Sequence, residues 1–467
     1  MVKYRIEKDS LGTVHVPQSA YYGAQTQRAV LNFPISGQRM PREFIRALGI
    51  IKYAAAEANG ELGAFDRKTA RAILRAANEV AEGTFDHDFV VDVYQTGSGT
   101  STNMNANEII ANRANELLGG PRGSNKPVHP NDHVNRSQSS NDVIPSAIHI
   151  SALETIERHL LPDLEHLKEA LTSKAREFSA IVKIGRTHLQ DAVPVRLGQE
   201  FGGYASQVEH GIRRVEKLRP HLRELALGGT AVGTGLNAPR EFSSLVIRKI
   251  SNFTGIRFFK AQNFFEALGA RDAVVEASGE LKAVAVSLMK ISNDLRWLSS
   301  GPRCGIGEIA LPSLQPGSSI MPGKVNPVML ESMMMLCATV MGNDVAITVG
   351  GQHGNFELNT MMPMMTCHLL TSIGLLAAGS RLLADRCIKG IVANKERAQS
   401  LIEGSIAMCT ALAPFIGYEA AAKIAQESFR TGKTVRDVAL DHRVLPEKEL
   451  DRVLDPKRLT HPGIPKK

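Results

Sequence analysis

Apolar side chains return every three to four residues through most of this chain. The clearest run is Leu281, Val284, Leu288, Ile291, Leu295 and Leu298, whose alternating steps of three and four place all six on one stripe of a helix. Similar patterns predict long helices over about 146–178, 198–226, 264–299, 328–348 and 363–386. Five long helices with such stripes pack as a bundle. The breaks between them, at 185–194, 228–239 and 301–327, are rich in Gly and polar groups. Ahead of the bundle the first forty residues are turn-rich, and 41–120 are mainly helical. Loops at Gly119–Ser124 and His129–Asp132 then lead into the polar run Ser137–Asp142. From about Asn394 the predicted helices shorten, and the chain closes on the basic Pro465-Lys466-Lys467.

The Met-rich stretch Met333–Met341, bounded by Glu331 and by Asn343-Asp344, is expected to be a core helix. No uninterrupted apolar run approaches the roughly 20 residues that span a bilayer, so no membrane partner is expected.

Composition changes this picture in a few places. Aromatics are only 5% while Ala, Leu, Met and Glu are plentiful, a balance that favours packed helices over sheets. At 467 residues two or three domains are expected. The net charge of +8 is spread among acids with no dense basic tract, which argues against a nucleic-acid partner and fits a surface that attracts small dianions or is merely solvated. Five cysteines without CxxC spacing point to a reducing compartment and away from zinc, iron–sulfur or a disulfide framework. The opening MVKYRIEKDSLG has neither a secretory apolar core nor transit-peptide character, so a cytoplasmic location is expected.

Four polar segments begin or interrupt helices with groups suited to carboxylates. Gly97-Ser98-Gly99-Thr100-Ser101-Thr102-Asn103 precedes a helix and offers hydroxyls beside free backbone N–H groups, a favourable place for an anion. Ser139-Ser140-Asn141-Asp142 does the same. Gly185-Arg186-Thr187-His188-Leu189-Gln190-Asp191 carries an imidazole, the commonest positioned acid or base near neutral pH. Gly317-Ser318-Ser319-Ile320-Met321-Pro322-Gly323-Lys324-Val325-Asn326-Pro327 carries serines and a lysine between two glycines. There Asn326 is expected to cap a helix that Pro327 opens, with Glu331 one turn in. Taken singly, each segment reads equally well as a helix cap or a surface loop.

Together, and in this order, they resemble the aspartase/fumarase superfamily, and the likeness runs from Tyr21–Arg28 through Gly228–Asn237 into the C-terminal region. Within it the chain resembles the class II fumarases. His188 follows Thr187 where aspartases usually carry Gln, Gly323 precedes Lys324 where they usually carry Ala, and Gly354–Asn359 is of the fumarase kind. Ser101 and Lys126 depart from the residues many fumarases place there, Gln and Arg.

The resemblance implies an all-α fold of three domains, which would cover 1–138, 139–393 and 394–467. It implies a central five-helix bundle, and a homotetramer whose bundles form a twenty-helix core. Active sites would each combine segments from three subunits. The implied activity is reversible hydration of fumarate to L-malate in the citric acid cycle, without a cofactor or metal. Ser318 would be the base, His188 would pair with Glu331, and Lys324 with Asn326 would hold the charge of an aci-carboxylate. Ser98, Gly99, Thr100, Ser139, Ser140, Asn141, Thr187, Ser319 and Val325 would be substrate contacts. Lys126, His129, Pro130, Asn131 and Asp132 would form a secondary dicarboxylate site. The competing readings are an aspartate ammonia-lyase on the same scaffold and a non-catalytic relative.

Overall fold

A computed structural model describes residues 3–463; the Pro465–Lys467 tail lies outside the described residues. The chain opens with an antiparallel hairpin, β1 (Tyr4–Asp9) and β2 (Gly12–Pro17). Helices α1 (Ala24–Asn32), α2 (Arg42–Glu61), α3 (Arg67–Ala81), α4 (Thr100–Leu117), α5 (Ser140–Thr155) and α6 (Leu161–Glu177) follow. A second hairpin, β3 (Val182–Thr187) and β4 (Gln190–Arg196), leads to α7 (Leu197–Glu216) and the single turn α8 (Arg219–Leu222). Next come α9 (Phe242–Thr254), α10 (Phe264–Gly269), α11 (Asp272–Leu298), α12 (Val328–Gly351) and α13 (Met362–Arg386). Short helices α14 (Lys395–Glu403), α15 (Ala413–Ile416), α16 (Tyr418–Thr431), α17 (Val435–Asp441) and α18 (Glu447–Val453) complete the described chain. The fold is all-α, as the periodicity implied.

The chain divides into two compact units. The first holds the described residues up to Pro162 with Ile212–Ala285 and Leu336–Ala377; the second holds Asp163–Gly211, Val286–Met335 and the described residues from Ala378 onward. Helices α7, α11, α12 and α13 each contribute to both units, so this division differs from one into consecutive sequence segments.

In the first unit α2 packs on α3, α5 and α9. Leu48, Ile50, Ile51, Ala54 and Ala55 are wholly buried along it, and so is Lys52. The N-terminal hairpin alternates as a half-buried sheet should: Val14 and Val16 face inward while Thr13 and His15 face water. In the second unit the short C-terminal helices enclose a core around Leu412, Val438 and Leu450, and Ile184 of β3 is part of it.

Three of the expected helices depart from the periodic reading, and the one over 198–226 is α7 followed by the single turn α8. The helix expected over 146–178 is α5 and α6 joined by a π-helical turn, Ile156–Leu160. The helix expected over 264–299 breaks at Ala270, which is extended. Gly269 just before it lies so close to the Phe356 carbonyl oxygen that a Cβ there would collide with it, and this close approach accompanies the break.

The α11 stripe behaves as the spacing predicts, with Leu281, Val284, Leu288, Ile291, Leu295 and Leu298 all buried. Helix α12 is different. Leu330, Met333, Cys337, Val340 and Ile347 are buried, yet Met335 is 67% and Val345 64% exposed. By length and composition α12 and Met362–Gly390 are each apolar enough to cross a membrane, with a mean hydropathy of 1.4 in the best window, although neither contains an unbroken apolar run of that length. Inside the first unit, however, polar groups tie them to neighbours. Asp344 accepts from the Ser278 hydroxyl at 2.8 Å and from Lys282 at 2.6 Å, and Asn343 donates to the Ser372 hydroxyl at 3.0 Å. Buried polar groups satisfied this way hold one helix packing register.

All five cysteines are free. Burial pushes the Cys337 and Cys387 thiols up to about 12, which keeps them protonated and unreactive at neutral pH. Truncating the stripe tests its packing: Leu288→Ala is expected to cost about 2–5 kcal/mol in denaturant unfolding at fixed protein concentration. A loss well under about 1 kcal/mol would mean the position is not tightly packed.

Candidate active site

The first polar segment sits at the start of α4. Gly97 is required by contact: a Cβ there would overlap the Thr360 carbonyl oxygen, and the Gly97 carbonyl accepts the Met362 N–H at 3.0 Å. Gly99, at φ +73°, turns the chain into the helix in a conformation that L side chains rarely adopt. The Ser98 and Thr100 hydroxyls lie 2.8 Å apart. Ser101 is engaged locally with the Thr96 hydroxyl at 3.3 Å, and Gln95 Oε1 accepts both the N–H and the hydroxyl of Thr102.

The second segment starts α5 with a capping box in which Ser139 and Asp142 satisfy each other's backbone N–H groups. Asp142 is wholly buried. Its Oδ1 accepts the Ser139 N–H at 2.9 Å, and its Oδ2 accepts the N–H groups of Gly228 and Thr230 at 3.0 and 2.9 Å. Burial raises its pKa to about 6 despite these donors and the nearby Lys52 charge. The Asn141 amide donates to the Ala231 carbonyl at 2.7 Å, and the Ser140 hydroxyl oxygen accepts from Asn103 Nδ2 at 3.1 Å. One hydrogen bond therefore links the starts of α4 and α5, bringing together two helix N-termini and the hydroxyls of Ser98, Thr100 and Ser140, groups suited to a carboxylate.

The secondary segment is exposed at Lys126, Asn131 and Asp132. His129 Nδ1 accepts the N–H groups of Asn131 and Asp132 at 3.2 and 3.3 Å, capping the π-helical turn Pro130–Val134. Only its Nε2 remains for a ligand.

In the second unit β3 and β4 close at Thr187 and Gln190, so His188 and Leu189 form the two-residue tip. Both have positive φ, +55° and +59°. A tip of this kind favours Asn-Gly; two larger residues there store strain of about 1–3 kcal/mol each. Thr187, His188 and Leu189 are all exposed. The hairpin is braced below the tip. Arg186 makes two bonds to Glu308, at 2.9 and 3.2 Å, and Lys183 reaches Glu200 at 2.9 Å and Glu308 at 3.3 Å. Glu308 and Lys183 are each only 1% exposed, so these charges are paired out of water.

The fourth segment forms a closed loop. Gly317 N–H donates to the Lys324 carbonyl at 2.7 Å, and Asn326 Nδ2 donates to the Gly317 carbonyl at 2.6 Å. Asn326 therefore closes the loop with its amide instead of capping, and the helix begins one residue later than expected, at Val328. The half-buried Ser318 hydroxyl oxygen accepts two N–H groups, from Met321 at 2.9 Å and Ile320 at 3.2 Å. Lys324, Val325, Asn326 and Glu331 line a cavity of about 650 Å³ with Asn293, Arg296 and Trp297. The last three lie outside the four polar segments, and of them Trp297 alone carries a sequence signal, as the sole tryptophan at the end of the α11 stripe.

Ser318, Ser319, Lys324, Val325, Asn326 and Glu331 thus share one loop and helix start in the second unit. Ser98, Gly99, Thr100, Ser139, Ser140 and Asn141 cluster in the first. Among the described residues His188 hydrogen-bonds to neither Glu331 nor Ser318. Also among them, no group of three or more His, Cys, Asp or Glu is arranged to hold a metal ion.

Comparison with known proteins places this geometry. Residues 12–342 match the family described as Lyase, and 408–461 match that described as Fumarase C C-terminus. The chain is 54% identical to the class II fumarate hydratase of Nitrosomonas europaea, over 98% of this chain and 100% of that protein. It is 52% identical to the mitochondrial fumarate hydratase of Rattus norvegicus, over 98% of this chain and 91% of the relative. The crystal structure of the class II fumarase from Schistosoma mansoni superposes with a TM-score of 0.95 at 40% identity, over 98% and 99% of the two chains. With these relatives spanning nearly the whole chain, the chain belongs to the class II fumarate hydratase family and is a hydro-lyase.

Proposed function

We propose that this hydro-lyase interconverts fumarate and L-malate, serving the citric acid cycle, through a base, Ser318, that removes the proton beside one carboxylate before hydroxide leaves. The observation that carries this reading is the pair of N–H groups on the Ser318 oxygen. A serine hydroxyl is a poor base because its alkoxide is rare at neutral pH. Two fixed donors stabilise negative charge on that oxygen and favour the deprotonated form.

Proton loss puts a second negative charge on the neighbouring carboxylate. Lys324, the Asn326 amide, the Val325 backbone and Thr187 hold that aci-carboxylate, and Ser319 binds beside it. His188 with Glu331 handles the proton of the departing water. Ser98, Gly99, Thr100, Ser139, Ser140 and Asn141 hold the far carboxylate. Lys126 and His129–Asp132 form a secondary dicarboxylate site. The charge is balanced by fixed donors and one lysine, so the scheme calls for no cofactor.

Because His188 has no hydrogen-bond partner among the described residues and sits at a strained, exposed tip, each site is assigned to segments from three subunits of a homotetramer. Exposed apolar residues on α12 and the exposed Leu189 beside His188 support it. The proposed domains are 1–138, 139–393 and 394–467, the central one supplying five helices to a twenty-helix core. A cytoplasmic location, with neither membrane nor nucleic acid as partner, is part of the same reading. The named relatives include both bacterial and mitochondrial enzymes.

Offered separately to the purified protein, L-malate is expected to give fumarate by its ultraviolet absorbance and L-aspartate is not. Fumarate from aspartate alone would make this an ammonia-lyase. Ser318→Ala and His188→Gln are each expected to lower kcat by about a hundredfold or more with the assembly intact; near-normal turnover in either removes that residue from its role. Glu308→Gln, which weakens the brace on Arg186, is expected to lower kcat/KM by about tenfold to a hundredfold through misplacement of His188. Unchanged kcat/KM would mean the hairpin needs no such brace.

A further inference from the structure

Lys52 lies in the middle of α2 among Ile50, Ile51, Ala54 and Ala55, with none of its side chain exposed. A buried ammonium is costly unless acceptors surround it. Burial lowers the Lys52 pKa to about 7, with the nearby Asp142 charge opposing the shift. Lys52 can donate to both neighbouring amides in either form, with three hydrogens as the ammonium and two as the amine, and both amides turn their oxygens toward it. Lys52 Nζ donates to Asn135 Oδ1 and to Gln138 Oε1, both at 3.0 Å.

That choice propagates. Asn135 Nδ2 must face the other way, and it donates to the Gln138 carbonyl at 3.1 Å. Asn135 Oδ1 also receives Asn107 Nδ2 at 3.1 Å and Asn103 Nδ2 at 3.2 Å. Asn103 is therefore held with its NH₂ toward Asn135, and the same NH₂ donates to the Ser140 hydroxyl oxygen at 3.1 Å. The Oδ1 atoms of Asn103 and Asn107 are buried and accept no hydrogen bond from the described residues, so neither amide gains an acceptor contact from this orientation. The common carbonyl of Asn135, fixed by the lysine, is what holds both.

We propose that Lys52 is a positioning residue for the substrate: through Asn135 and Asn103 its donated hydrogen bonds fix the Ser140 hydroxyl as a donor aimed at a dicarboxylate. With an Asn103 N–H already on its oxygen, Ser140 has its own hydrogen left to give. At the start of α5 that hydrogen adds to the helix N-terminus in binding a carboxylate. A side chain at 52 without a donor would free Asn135, and with it Asn103, to flip. A flipped Asn103 presents its oxygen, captures the Ser140 hydrogen and takes a donor from the site.

The inference rests on reading Ser140 as a substrate contact, and a double-mutant cycle separates the two. KM and kcat for fumarate and L-malate are measured in Ser140→Ala, Lys52→Met and the double variant, with the thermal midpoint of each. Ser140→Ala is expected to raise KM about tenfold, the size of a hydrogen bond to a charged group. Lys52→Met is expected to raise it comparably, with kcat changed less, and the double variant is expected to be no worse than either single one. An unchanged KM in Ser140→Ala would overturn the substrate-contact reading. KM increases that multiply, or a Lys52→Met variant with a lowered midpoint and unchanged KM, would overturn the role of Lys52 alone. Should Lys52→Met fail to fold, Asn103→Asp carries the test. It replaces the donor with an acceptor and is expected to raise KM as Ser140→Ala does; an unchanged KM there would overturn the relay.

Discussion

A helix that carries apolar side chains on opposite faces must be covered on both, and α12 is such a helix. Its inner face, from Leu330 to Ile347, is buried within the chain, while Met335, Val345 and Val349 remain exposed. At about 25 cal/mol per Å² of apolar surface, leaving this face in water is a standing cost that association removes. Polar residues along the same helix bundle, Asn343 and Asp344 with Ser278, Lys282 and Ser372, hold one register for the packing. The exposed face of α12 supports the proposed tetramer and the proposed composite site, since the loop Gly317–Pro327, proposed to carry the base, leads directly into α12.

The chemistry-bearing groups are few, and buried charges orient them. Asp142 uses three backbone N–H groups to fasten the start of α5 to the Gly228–Thr230 loop. Glu308 holds Arg186 and Lys183 beneath the tip that carries His188. Lys52 sets the direction of four side-chain amides, those of Asn135, Gln138, Asn103 and Asn107. Each of these charges lies out of water and is matched by donors or acceptors. Removing one partner is expensive at such places, which makes the geometry single-valued.

The bundle was legible because its signal is long: six residues of the α11 stripe repeat over eighteen positions, and every one is buried. The segments of the site were legible because glycines, hydroxyl residues and helix starts are local features. The hairpin Val182–Arg196 was not, and its sequence explains why. Gly185 and Pro194 suggest a break, and the tip is His188-Leu189 where a readable turn would be Asn-Gly. The role of Asn326 was misplaced by one step, because its bond to Gly317 lies nine residues back and outcompetes the cap that the Asn-Pro pair suggests. Lys52 and Glu308 owe their places to partners distant in sequence, which no local pattern records.

In the proposed assembly, Ser318 and His188 of one active site come from different copies of the chain. Subunit mixing tests this directly. Two variants, one without the serine and one without the histidine, are dissociated, combined and reassembled. Activity should return well above that of either parent, with roughly a quarter of sites complete if subunits mix at random. A mixture that reassembles fully and stays as inactive as its parents would place both residues in one chain's own site and contradict the claim.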